Sequence, residues 1–239
     1  MIKLKFIVAV LGLGCGLFLL QGCSPKNPDS SAASGASDAA GPGRHRGIKP
    51  TSEPTRANPG AKIRSSGGFR GFVVYADAKS PDNHFAPTGW MGDYQDLKFD
   101  DKCAVGPHGG ATCIETVYTN KATQGARWSG IYWQNPPNNW GIRPGGYNLS
   151  GAKKVTFWAK GKNGGERIEE FKIGGITGEY ADSDVAGIGP VVLTPEWKQF
   201  TIDLEGKDLS SISGGFAWST NLDANPSGCT FYLDDIKYE

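Results

Sequence analysis

Beyond its N-terminus this 239-residue chain has almost no run of good helix formers. Strands joined through parallel crossover helices are therefore not expected. Histidine is scarce as well, with only His45, His84 and His108, and no C-x-x-C pair occurs among the five cysteines. A metal site built from thiolate and imidazole is thereby disfavoured. G-x-S-x-G, H-E-x-x-H and phosphate-loop patterns are also missing, which removes the commonest hydrolase and nucleotide signatures. What remains is 35 Gly, 15 Pro and 11% aromatics. That composition suits a turn-rich β protein, and one folded domain is the simplest count.

Residues 1–22 read as an export signal rather than part of the fold. Lys3 and Lys5 precede an apolar run from Phe6 to Leu20, and small residues precede Cys23. Leu20-Gln21-Gly22-Cys23 resembles the bacterial lipobox, which implies a lipidated Cys23 at the mature N-terminus. An ordinary secretory signal or a short membrane anchor is the alternative, although the apolar run is shorter than the roughly 20 residues of a full span. A lipid-anchored cell-envelope protein is expected, with the outer membrane favoured if the host is Gram-negative. A Cys23→Ser variant should no longer incorporate labelled palmitate.

Residues 23–66 are Ser, Ala, Gly, Pro and isolated charges without apolar period, as in a flexible linker. As a coil it would reach about 35 to 40 Å. Its seven Lys/Arg against three Asp/Glu, with the two signal lysines, leave residues 67–239 at net −5. An acidic domain argues against nucleic acid as a partner.

Of the remaining cysteines, Cys103 and Cys113 flank "AVGPHGGAT". This Gly/Pro turn would reverse the chain and bring the pair together as a disulfide. Cys229 is left as a small buried hydrophobe.

From residue 67 to 239, nine short period-2 segments alternate with turn residues: 69–75, 112–119, 128–134, 153–161, 167–175, 191–193, 198–204, 214–220 and 230–238. The expected fold is all-β, an antiparallel sandwich of two packed sheets in the manner of a jelly roll. The order "KKVTFWAKG", "EWKQFTIDL", "TFYLDDIKY" resembles non-catalytic carbohydrate-binding modules with a galactose-binding-like β-sandwich. The resemblance covers residues 68–239, and it implies the fold more firmly than the ligand.

In "WSGIYWQNPPNNWG", Trp128 and Tyr132 share one face of a strand while Ile131 and Trp133 share the other. One pair must serve the core. The other stands on the second face of the sheet, where exposed aromatics call for a use. Sugars stack on rings and pair their hydroxyls with amides and charges. Candidate ligand contacts are Trp133, Trp140 and Trp218, then Trp128, Tyr132 and Trp90, with Asn138, Asn139, Arg143 and Lys172 as polar partners. Trp158 and Trp197 match positions that are usually packing in such modules.

Asp93, Asp96, Asp100 and Asp101 form an acidic stretch, with either turn formation or Ca2+ coordination as its reading. The resemblance implies one structural calcium ion held by Asp77 and Asp235. A hydrolase would need two facing carboxylates. Glu115, Glu166, Glu169, Glu170 and Glu179 are present, but the E-x-D-x-x-E pattern of jelly-roll hydrolases is not. The favoured expectation is a monomeric, non-catalytic binder of a polysaccharide or oligosaccharide. An envelope module that binds another protein is the alternative.

Overall fold

A computed structural model describes residues 68–239. The expected signal, the linker and Cys23 lie outside them. Thirteen strands follow in order: β1 (Phe72–Tyr75), β2 (Ala86–Gly92), β3 (Leu97–Cys103), β4 (Cys113–Tyr118), β5 (Trp128–Gln134), β6 (Lys154–Gly161), β7 (Arg167–Ile168), β8 (Glu170–Gly174), β9 (Val185–Ile188), β10 (Val191–Val192), β11 (Lys198–Asp203), β12 (Gly214–Asn221) and β13 (Cys229–Tyr238). One sheet has the order β11-β6-β13-β4-β3, with β1 also on β13. The other runs β2-β5-β12-β8-β9, and β7 and β10 form a separate pair. Every pairing is antiparallel, so the expected sandwich is what the chain forms.

The period-2 pattern sorts the aromatics between faces. Ile131 and Trp133 of β5, Phe216 and Trp218 of β12, and Phe171 and Ile173 of β8 point inward. They meet Phe157 of β6 and Phe231 and Leu233 of β13 from the opposing sheet. Ring pairs cross between the sheets: Trp218 lies 4.9 Å from Phe231 at 84°, and Phe157 lies 4.7 Å from Phe171. The edge-to-face Trp218–Phe231 contact adds about 0.5–1.5 kcal/mol beyond the area it buries.

Three strands exceed the nine sequence segments. β2 carries Pro87 and Gly89, which weaken strand propensity. In β3 the alternation is masked because its outward residues are Lys98, Asp100 and Lys102; β9 is four residues with a central Gly. The segment 167–175 divides into β7 and β8.

The acidic stretch is structural. Asp93 is fully buried and accepts the backbone N–H groups of Gln124 (2.7 Å), Ala126 (3.0 Å) and Arg127 (2.6 Å). It thereby fixes the turn that leads into β5. Burial pushes its carboxyl upward, but those donors outweigh burial and hold it below the usual aspartate value. A depressed pKa contributes stability above the unfolded value, and that stability is lost on acidification. Asp93→Asn should therefore lower Tm at pH 7. The gap to the unsubstituted protein should close as pH falls below about 4 in a series of thermal melts. Asp96 accepts from the Thr123 hydroxyl, again as a turn clamp.

Candidate functional site

Tyr132 is the inward Trp133's neighbour and so faces outward from the five-stranded sheet. Across this outer face, the register places Gly89 beside Tyr132, then Ala217, Lys172 and Gly187. The next row holds Met91, Gly130, Ser219 and Glu170. Small residues thus make the floor, and the long side chains rise from it. A Cβ on Gly130 would stand 2.5 Å from the Trp218 carbonyl oxygen and 2.8 Å from Met91. The strands could not pack as they do with a larger residue there.

The β5–β6 connection rises along one rim. Gln134 is buried and donates its side-chain N–H to the Asn139 carbonyl (3.0 Å). The Asn139 side chain donates to the Arg143 carbonyl (2.9 Å) and accepts from Gly141 N–H (3.2 Å). These bonds turn the chain so that Trp140 is carried onto Tyr132, ring centroids 5.8 Å apart and nearly perpendicular. Trp140 remains 41% exposed while Tyr132 is only 4% exposed. Gly141 also meets the neighbouring rim loop, whose Tyr180 N–H donates to its carbonyl (2.9 Å). That second loop is tied down by Asp182, which accepts from the Ile176 and Ser213 backbones. Burial raises the Asp182 carboxyl above its usual value, since its three backbone donors compensate only in part.

Lys172 lies 3.0 Å from Glu170 and 5.5 Å above the Tyr132 ring. Burial disfavours its ammonium, yet contact with Tyr132 and Glu170 holds it above the ordinary lysine value. It is therefore a fixed cation at neutral pH. Farther along the same face, Trp128 is 38% exposed.

The sequence candidates divide accordingly. Trp140, Trp128, Tyr132 and Lys172 come to this face. Trp133 and Trp218 do not: each is 1% exposed inside the sandwich, which corrects the expectation of ligand contact. Period 2 left the choice of face open, and the Ile131/Trp133 pair, which lacks a phenol hydroxyl, went to the core. Asn139 is fully buried and shapes the loop, so it too is withdrawn as a contact. Arg143 folds back onto the Pro137 carbonyl, while Asn138 is exposed with a left-handed backbone (φ 58). Trp90 sits at the sheet edge against Phe99 (6.0 Å), its N–H donated to the Pro87 carbonyl. Glu170 and Met91 are site residues that were not singled out as sugar contacts; strand register alone reveals them.

The carboxylates expected to hold calcium have other partners. Asp77 accepts the N–H groups of Ala111 and Thr112 (both 2.8 Å) and the Thr112 hydroxyl, and these donors depress its pKa. Asp235 pairs with His108 at 2.7 Å. Among the described residues no group of three or more His, Cys, Asp or Glu side chains converges as a metal site. Ca2+ takes six to eight oxygen ligands, and N–H donors do not fit it. A melt in chelator is accordingly expected to match a melt in millimolar Ca2+.

A family 30 carbohydrate-binding module superposes with a TM-score of 0.50 at 16% identity, covering 71% of this chain and 98% of that one. The fold is that of a carbohydrate-binding-module β-sandwich. A family 11 module of a cellulosomal cellulase of Clostridium thermocellum matches at TM-score 0.46 and 16% identity, over 72% of this chain and 95% of that one. A variant family 29 module gives 0.42 at 10% identity, over 71% and 91%. No family model matches the chain, and no curated protein does. At this identity the likeness carries the fold, and function must be argued from the residues.

Proposed function

We propose that this protein binds a polysaccharide or oligosaccharide without turning it over, on the outer face of the five-stranded sheet. The observation that carries this reading is Trp140. A large ring stands half-exposed on a well-anchored loop, against Tyr132, on the face that also carries the Lys172–Glu170 pair. A pyranose can lay its C–H face on that indole while its hydroxyls reach the ammonium and carboxylate, donating to one and accepting from the other. Met91 and Ile176 pack on Tyr132 and Ala217, which are 4% and 1% exposed, so the sugar would lie beside that cluster, against Trp140 and the Lys172–Glu170 pair. Such an open, wet platform suits single-site affinities in the micromolar to millimolar range.

The glutamates support the non-catalytic reading. Glu115 accepts from Tyr232 OH on the six-stranded sheet (2.9 Å), Glu169 pairs with Arg167 (2.7 Å), and Glu170 pairs with Lys172. Glu115 and Glu170 lie on opposite sheets and do not face each other across a common cleft. Attachment of the chain through a lipidated Cys23 in the cell envelope belongs to the same proposal. The binder would then hold glycan at the surface.

Affinity electrophoresis of the full chain through gels containing soluble β-glucans, mannans or xylans tests the reading. Retardation by at least one polymer is expected, whereas free migration in all of them together with no signal on a glycan array overturns it. A protein-binding face is the second reading, because Ile142 (72% exposed) follows Trp140 in the same loop and Val185 (45%) stands on β9 of the same sheet. Lys172→Ala separates the two. Loss of glycan retardation of about threefold or more fits a hydroxyl partner, while an apolar protein interface would barely notice it.

A further inference from the structure

On the other side of the molecule, the β3–β4 turn does not project into solvent but lies over the outer face of the six-stranded sheet. The Gly106 carbonyl accepts from Trp197 Nε1 (3.0 Å) and Lys160 Nζ (3.2 Å). His108 stacks on Trp158 with centroids 3.7 Å apart, and its backbone N–H reaches Asp234 (2.8 Å). Hydrogen bonds and ring contacts hold this turn, while its apolar residue Val105 is 72% exposed. Its root is different. There Cys103 and Cys113 are direct partners in the β3–β4 ladder. They are 5% and 0% exposed and cluster with Tyr232 against Trp197.

Both are thiols in the structure. Residues directly opposite in an antiparallel pair have Cα atoms about 4.5–5.5 Å apart, inside the roughly 4.4–6.8 Å that a disulfide spans. Cys229 is no competitor, because it pairs with Tyr118 at the far end of β4. Five residues of strand separate it from Cys113, about 17 Å.

We propose that Cys103 and Cys113 are joined by a disulfide that fastens the β3–β4 turn over the six-stranded sheet. Two S–H bonds break and one S–S bond forms. The two electrons and two protons pass to a disulfide donor such as oxidised glutathione, which leaves as two thiols. Burial, and then the adjacent Cys103, push the Cys113 thiol up to about 12, so the closed sheet holds almost no thiolate to react. Oxidation therefore belongs to folding, before β3 and β4 close. The finished bond is correspondingly shielded from reductants. None of this depends on what the opposite face binds.

Lys102 and Lys121 bracket both cysteines within one tryptic peptide, 103–121. The full chain, refolded in a mixture of oxidised and reduced glutathione, is alkylated with iodoacetamide in denaturant without reductant and digested. The expected peptide carries no adduct and is two hydrogens lighter than the dithiol; after reduction it carries two adducts. Two adducts without prior reduction would overturn the bond. The Cys103→Ser/Cys113→Ser double variant tests the fastening role, with an expected Tm decrease of about 5–10 °C. A Tm unchanged from that of the oxidised protein would remove that role. Dithiothreitol should open the bond in denaturant at least tenfold faster than in native buffer; equal rates would contradict its shielding.

Discussion

Trp133→Ala should lower the unfolding free energy by about 3–5 kcal/mol, the cost of deleting a buried indole and leaving its cavity. Trp133 is 1% exposed and lies edge-on to Phe216 (5.7 Å) and Phe99 (5.8 Å), so it meets core residues of both sheets. Few rearrangements can fill that volume, because the neighbouring rings are themselves pinned by Phe157 and Trp90. The loss is a large share of the 5–15 kcal/mol that a domain of this kind has in total. Urea unfolding followed by circular dichroism measures it as a fall in the midpoint at unchanged slope. A variant that melts with the unsubstituted protein would contradict the assignment of Trp133 to the core. At temperatures where the variant remains folded, its affinity for the best glycan should stay within about twofold.

Trp140→Ala should do the reverse. Truncating a central aromatic contact typically costs more than 1 kcal/mol and often 2 or more, so affinity for the best polymer should drop roughly 10- to 100-fold. The loop keeps its own bonds through Asn139 and Gln134, and Trp140 is already 41% exposed. Stability should therefore change by only about 1 kcal/mol. Isothermal titration with an oligosaccharide of the best polymer, beside a thermal melt, separates the two effects. Full affinity in the Trp140→Ala variant would take this loop out of the binding face. The contrast between two tryptophans seven residues apart is sharper than either result alone.

Much of this architecture is legible in the sequence because a sandwich writes period 2 into its inner strands. β5, β6, β12 and β13 all alternate, carry aromatic or β-branched residues and end at Gly, Asn or Asp. The strands that escape are edge or near-edge elements, β2, β3 and β9, where one neighbour or none selects for apolar side chains. The pattern is mute on which of two aromatic faces turns inward. Trp133 and Trp128 read as equals along the strand, and only the opposing sheet, with Phe99 and Phe231 waiting, decides between them. For Asn139 the limit is different: its polarity is visible, but its burial depends on contacts with Gln134 and Arg143 that form only when the loop closes. Asp77 and Asp235 show a third limit, since the family likeness points to their positions while the groups that occupy them, backbone amides for Asp77 and the His108 imidazole for Asp235, come from a turn more than thirty residues away from the first and more than a hundred from the second.

The place of β13 bears on how the six-stranded layer comes together. It is the last of the thirteen strands, yet β6 flanks one side of it while β4 and β1 share the other. Without it the six-stranded layer has no middle: β3–β4 and β6–β11 are left as two separate pairs, and β1 has no partner. Joining those pairs into one layer takes contacts between segments far apart in sequence, the kind that makes folding slow.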